Sequence, residues 1–212
     1  QGPLSRLPCA LVDLDAFDRN AAKLATLVRA SNGGKGRKTL RLATKSLRVP
    51  ELIERALKSD TIYQGLMCFT AEEARFLRQR GLDDFLIAYP SLQDSDLRIL
   101  REIHEGGARI TIVVDAVEGV TALASAMRGL DKPFEVLLDI DMSLRYFGGL
   151  IHLGVRRSRL RSSTDAVALG REIKKHPQLR LSGFMAYEAQ VAGLGDRNPF
   201  KRFLNPVFGW VR

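Results

Sequence analysis

The stretch from Gly65 to Ala88 reads GLMCFTAEEARFLRQRGLDDFLIA and holds one complete unit of the fold. It begins and ends with β-rich apolar runs. Between them, Thr70 followed three residues later by Glu73 is a capping box, which opens a helix that runs to about Arg80 and stops at Gly81. Two apolar strands joined by a helix predict a βαβ unit with parallel strands.

The same alternation continues in both directions along the chain. The predicted strands are Thr39–Lys45, Gly65–Phe69, Phe85–Ala88, Ile110–Val114, Phe134–Ile140 and Leu181–Ala186. The helices between them begin near Pro50, Thr70, Asp96, Val117 and Thr164, and a long glycine-containing loop precedes the last helix. Repeated βα units predict an α/β fold of the (β/α)₈ TIM-barrel type. A doubly wound dinucleotide fold is disfavoured, because no glycine fingerprint follows the first strand.

A further strand is predicted at the N-terminus, from Ala10 to Leu14, with Asp15 as the cap of the following helix. The apolar stripe of that helix comprises Phe17, Ala21, Leu24, Ala25 and Val28.

Length and composition predict one domain and suggest an incomplete barrel. The chain has 212 residues, whereas a whole barrel usually needs about 250. Residues 193–212 are rich in Gly, Asn, Pro and Arg and are predicted as an irregular tail.

No apolar run approaches the roughly 20 residues that span a membrane, and the N-terminus does not resemble a secretory signal. Cys9 and Cys68 form no C-x-x-C pair, so we expect a reduced, cytoplasmic protein.

The net charge of +9 includes one dense basic stretch, Arg156–Arg161. No nucleic-acid motif and no interleaved aromatic residues accompany it, so we expect no nucleic-acid function. A phosphate-bearing cofactor or a carboxylate substrate would also suit positive charge. His104, His152 and His176 lack metal-ligand spacing, so no metal site is predicted.

Lys45 is the main candidate for chemistry. It ends a strand whose side chains are otherwise apolar or small, at the carboxyl edge where barrels build active sites. A lysine desolvated there loses part of its proton affinity and becomes a usable amine nucleophile, which forms a Schiff base with an aldehyde cofactor. The alternative interpretation of the residue is a solvent-facing lysine at a strand end.

Several motifs, in their order and spacing, resemble the alanine racemase / D-threonine aldolase family of fold type III pyridoxal-phosphate enzymes. They are the opening Pro8–Asn20, the strand Arg41–Ser46, the unit Phe69–Ala74 with Gly81–Pro90, and the later strand Gly183–Tyr187. The similarity runs from about residue 8 to 190 and is nearest to the branch called amino acid deaminase/aldolase.

The resemblance implies that Lys45 carries pyridoxal 5'-phosphate and that Tyr187 contacts the cofactor ring. It also implies that Arg145 approaches the phenolic oxygen, although this chain lacks the glycine that usually precedes that arginine. The strand Ala10–Leu14 then belongs to a C-terminal β-domain, which is expected to be absent from residues 1–212 together with any divalent metal it binds. About six of the eight barrel strands are expected to be present.

The implied function is that of a lyase of the aldolase/deaminase type, acting at the α-carbon of a D-amino acid through a Schiff base on Lys45. Two alternatives stay open, namely an alanine racemase-type isomerase and a non-catalytic barrel that binds and buffers pyridoxal phosphate. The expected partner is a small amino acid substrate, with no nucleic acid and no membrane. A homodimer of the full-length protein is compatible with the resemblance.

Overall fold

A computed structural model of the protein describes residues 8–31, 38–147 and 150–188. The helices of this part are α1 (Leu14–Ser31), α2 (Pro50–Ser59), α3 (Ala71–Gln79), α4 (Asp94–Glu105), α5 (Val117–Ala126) and α6 (Ser163–Lys174). The strands are β1 (Leu40–Ala43), β2 (Tyr63–Cys68), β3 (Phe85–Ile87), β4 (Ile110–Val114), β5 (Phe134–Ile140), β6 (Leu144–Tyr146), β7 (Ile151–Leu153) and β8 (Leu179–Ala186).

Six of these strands form one parallel sheet in the order β1-β2-β3-β4-β5-β8. Each helix from α2 to α5 connects neighbouring strands, and α6 leads from the β5 side into β8. This arrangement confirms the predicted α/β fold, with six parallel strands and β1 and β8 as the outer strands of the sheet.

The core lies between the sheet and its helices. It is built by apolar residues that alternate along the strands, including the fully buried Leu66, Phe85, Ile112, Phe134 and Leu138. A second, smaller cluster joins Ala21 and Ala25 of α1 to Ile62 and Tyr63 at the start of β2.

The predicted strand Ala10–Leu14 is not formed within the described residues. Residues 9–13 form no helix or strand, and α1 begins at Leu14. The cap of α1 is Asp13, whose Oδ1 accepts a hydrogen bond from the Ala16 amide at 2.9 Å, and not Asp15 as predicted. Leu11 is 76% exposed, and no described strand pairs with this segment, so its backbone has no ladder to join.

Most other elements match their sequence predictions. The strands β4 and β5 have the predicted bounds, and the Thr70 hydroxyl caps α3 by accepting from the Glu73 amide at 3.1 Å.

The predicted glycine-containing loop differs from its prediction, because it contains an antiparallel hairpin of β6 and β7. In α1, Leu24 of the predicted stripe is 52% exposed. The predicted tail at 193–212 lies outside the described residues.

None of the described helices is both long and apolar enough to cross a membrane.

Candidate active site

A cavity of about 290 Å³ lies at the carboxyl edge of the sheet. Its walls come from the ends of β1, β2, β3 and β8 and from one residue of the segment before α6. The side chains with chemical or aromatic character are Lys45, Cys68, Phe69, Tyr89, Arg157 and Tyr187. Parallel strands end at the same edge, which explains why residues distant in sequence meet here.

Lys45 enters the cavity from a short 3₁₀ turn, Thr44–Ser46, that directly follows β1. The turn is fixed by Thr44, which is fully buried and donates its hydroxyl to the Met67 carbonyl at 3.2 Å. The Thr44 carbonyl accepts from the Leu47 and Arg48 amides at 3.0 and 2.8 Å. Lys45 itself is exposed, so the expected desolvation is not provided by the described residues.

Three aromatic rings form the rim of this cavity. Phe69 and Tyr89 follow β2 and β3, and their rings meet edge to face with centroids 5.8 Å apart. Tyr187 directly follows β8 and lines the same cavity as Lys45, and its contact with a cofactor ring stays a prediction. The sequence analysis did not select Phe69 or Tyr89, although Phe69 ends one predicted strand and Tyr89 directly follows another.

Arg157 is a site residue that the sequence analysis missed. Its Nε donates to the two carboxylate oxygens of Asp139 at 3.2 and 3.0 Å, and its Nη2 donates to the Ala88 carbonyl. Its guanidinium carbon lies 4.6 Å from the Tyr89 ring centroid and 5.7 Å from that of Tyr187. These contacts hold Arg157 between two rings of the rim.

The partner carboxylate, Asp139, lies near the end of β5 with its side chain 1% exposed. Burial raises the pKa of this carboxyl above its ordinary value, and the nearby Asp115 and Asp141 act in the same direction, while Arg157 opposes the shift. Ser158 fastens the same strand by donating its hydroxyl to the Asp139 carbonyl at 2.5 Å. Asp139 is therefore a buried carboxyl group whose ionised form is stabilised mainly by Arg157.

The dense basic stretch is explained by this packing. Arg161 pairs with Asp141 at 3.2 Å, and the Arg159 amide donates to Asp115 at 3.4 Å. Leu160 forms a parallel bridge with Ile140 at the end of β5. The side chains of Arg157 and Arg161 and the backbone amide of Arg159 thus attach the segment to acidic residues at the ends of β4 and β5.

Arg145, the predicted phenolic-oxygen contact, lies elsewhere. It is an exposed residue of β6, opposite His152 of β7 in the hairpin. It does not line the cavity that holds Lys45. Its role toward a cofactor stays a prediction.

A larger cavity, of about 750 Å³, lies at the opposite edge of the sheet, near the starts of β4, β5 and β8. Its ionic residues include Arg180 and Glu135, which pair with each other. In barrels the amino-terminal edge serves stability and the carboxyl edge serves catalysis. The smaller cavity with Lys45 is therefore the better candidate active site.

No group of three or more His, Cys, Asp or Glu side chains that could hold a metal ion occurs within the described ranges.

Comparison with known proteins identifies the family of the chain. Residues 12–205 match the family model described as alanine racemase, N-terminal domain. The chain is 24% identical over 189 residues to a 3-hydroxy-D-aspartate aldolase of Paracoccus denitrificans, a match that covers 89% of this chain and 44% of that protein.

Two solved structures show the same fold. The D-threonine aldolase from Filomicrobium marinum matches with a TM-score of 0.74 and 24% identity, over 96% of this chain and 49% of that one. The alanine racemase from Streptomyces lavendulae matches with a TM-score of 0.64 and 18% identity, over 93% of this chain and 46% of that one. The chain thus spans about half the length of the relatives it matches.

Proposed function

Because the chain belongs to the alanine racemase N-terminal domain family, we propose that it forms the lysine-bearing part of a pyridoxal-phosphate enzyme acting at the α-carbon of a D-amino acid. The favoured reaction is of the aldolase/deaminase type. The observation that carries the proposal is the position of Lys45, in a cavity at the carboxyl edge of a parallel sheet. The relatives named as 3-hydroxy-D-aspartate aldolase and D-threonine aldolase support the choice of reaction.

The cavity residues fit pyridoxal phosphate by their chemistry. Lys45 supplies a primary amine, which would hold the aldehyde of the cofactor covalently. Tyr187 and Tyr89 supply aromatic faces that suit a planar pyridine ring. The volume of about 290 Å³ is near the lower end of the range for small-molecule sites.

When bound, pyridoxal phosphate supplies an electron sink for a bond broken at Cα of an amino acid. The residues of this chain would do the rest. The Lys45 amine, once free of the cofactor, would hold or return a proton near that carbon. The rim of Phe69, Tyr89 and Tyr187 would limit the access of water to the reacting atoms.

The test is a substrate panel on the full-length protein supplied with pyridoxal phosphate. We expect D-threonine and 3-hydroxy-D-aspartate to give glycine and an aldehyde, or an oxo acid and ammonia, and Lys45→Ala to abolish turnover. Lys58→Ala is the matched control, because Lys58 is an exposed lysine of α2 paired with Glu54. Inversion of alanine alone would favour the racemase alternative. Cofactor binding without turnover of any amino acid would contradict the enzyme proposal. It would favour the alternative of a non-catalytic barrel that binds and buffers pyridoxal phosphate.

A further inference from the structure

Arg157 enters the cavity with only part of its hydrogen-bonding capacity in use. A guanidinium carries five N–H donors in a planar fork. The Nε donor binds Asp139, and Nη2 binds the Ala88 carbonyl. Within the part of the chain that the structure describes, Nη1 has no hydrogen-bond acceptor. Arg157 therefore keeps donors for a ligand while two protein contacts fix its position.

The surroundings of Arg157 favour an anionic ligand. Its side chain is 12% exposed, and the Tyr89 and Tyr187 rings flank it, so little water competes for its donors. Lys45 and Arg157 are the two cationic side chains that line this cavity among the described residues. If Lys45 holds the cofactor, Arg157 is the cation left for the substrate.

We propose that Arg157 binds a carboxylate of the amino acid substrate and that Asp139 positions its guanidinium for this contact. A planar fork matches a carboxylate with two parallel hydrogen bonds, which a lysine cannot reproduce. The inference rests on the proposed function, since it places an amino acid beside Lys45. The inference also gives Arg157 a role different from that predicted for Arg145, which is an exposed residue of β6.

Asp139 acts through Arg157 and not on the ligand. Its carboxylate engages only the Nε edge of the guanidinium, which orients the remaining donors and offsets part of the charge. Asp139→Asn keeps the shape of the side chain and removes the charge. We expect this variant to raise KM for the amino acid while kcat changes little, a split that a general loss of folding would not produce.

The experiment uses the full-length protein with Arg157→Gln and Arg157→Lys. Two readouts are needed, which are KM for turnover and the calorimetric affinity for succinate, a dicarboxylate without an amine. Losing charge-assisted hydrogen bonds should weaken succinate binding and raise KM by roughly 10–100-fold in Arg157→Gln. Arg157→Lys should lie between that variant and the wild type. The affinity for pyridoxal phosphate, read from its absorbance, should change little.

Arg159→Gln is the matched control. Arg159 lies two residues away in the same segment, is 76% exposed and does not line the cavity. A KM increase for both D-threonine and 3-hydroxy-D-aspartate assigns Arg157 to the α-carboxylate. An increase confined to the latter assigns it to the side-chain carboxylate, and either result supports the proposal.

Two results would overturn the inference. One is unchanged KM and succinate affinity in Arg157→Gln. The other is a loss of pyridoxal-phosphate affinity with carboxylate binding intact, which would make Arg157 a cofactor contact. Failure of the proposed function is a separate outcome: a protein without turnover whose succinate affinity still depends on Arg157 would retain the carboxylate site and lose the enzyme assignment.

Discussion

Cys68 and Cys9 are chemically different thiols, and their environments explain why. Cys68 is 1% exposed, and burial raises its pKa to about 12, with Glu73 adding to the shift and Arg41 opposing it. Cys9 is exposed. Because the thiolate is the reactive form, a buried thiol with a raised pKa reacts slowly.

We therefore expect iodoacetamide at pH 8 to alkylate Cys9 in the folded protein and to spare Cys68. Peptide mass spectrometry measures both sites in one sample, and the same reaction in denaturant should label both. Equal rates at the two cysteines in the folded protein would contradict the burial of Cys68.

The environment of Asp141 predicts that the free energy of unfolding decreases at acid pH. Burial alone would raise the pKa of its carboxyl. Hydrogen bonds from Ser143 and the pairing with Arg161 lower the pKa by more than burial raises it, so the net pKa lies below the ordinary value. A carboxyl with a lowered pKa stabilises the fold above its unfolded pKa of about 3.9, and this stabilisation is lost as the pH falls through the folded pKa.

Asp141→Asn should therefore cost about 1–3 kcal/mol of unfolding free energy at pH 7 and less at pH 3. Urea unfolding at both pH values measures the difference. Asp131→Asn is the control, because Asp131 is exposed and should change stability little at either pH. An equal cost of Asp141→Asn at pH 7 and pH 3 would show that the charge of this residue does not stabilise the fold.

At the scale of single residues, the sequence analysis selected Lys45 and Tyr187, which lie at strand ends, and did not select Arg157, which lies in a loop. Lys45 lies two residues after the end of β1 and Tyr187 directly follows β8, so a strand prediction is enough to bring them to one edge. Arg157 reaches the same cavity through a pairing with Asp139, 18 residues earlier in the chain. That pairing depends on the path of the intervening hairpin, which no local pattern specifies.

The N-terminus of α3 is the clearest case in which one side chain determines where an element begins. Thr70 accepts from the Glu73 amide, and the Glu73 carboxylate accepts from the Phe69 amide at 2.7 Å. Thr70→Ala should cost about 1 kcal/mol of unfolding free energy, since it leaves an amide of the first turn without its partner.

Thermal or urea unfolding checks this cost. Thr121→Ala is the matched control, because Thr121 is an exposed residue inside α5, where alanine is a better helix former than threonine. A Thr70→Ala variant as stable as the wild type would show that the cap does not stabilise α3.

The elements differ in how well the sequence predicts them, for a physical reason. The strands β4 and β5 are apolar runs buried in the sheet, and their bounds were predicted correctly. Ala10–Leu14 has a similar apolar pattern, but it pairs with no described strand and forms none. An apolar run indicates the capacity to form a strand, whereas the strand itself requires a neighbour.

On the scale of the whole molecule, the core between sheet and helices carries the stability. Phe134 of β5 is fully buried in it, with its ring centroid 5.3 Å from that of His104. Phe134→Ala should cost roughly 3–5 kcal/mol of unfolding free energy. Phe76→Ala, at a 49% exposed position of α3, should cost much less in the same urea titration. Similar costs for both would contradict this location of the core.

The central claim is that Lys45 holds the cofactor, and one measurement tests it most directly. The full-length protein is supplied with pyridoxal phosphate, reduced with borohydride and digested, and its peptides are analysed by mass spectrometry. We predict the pyridoxyl mass on the peptide containing Thr44, Lys45 and Ser46, and its loss in Lys45→Ala but not in Lys58→Ala. A label on another lysine, with Lys45 unmodified, would contradict the account.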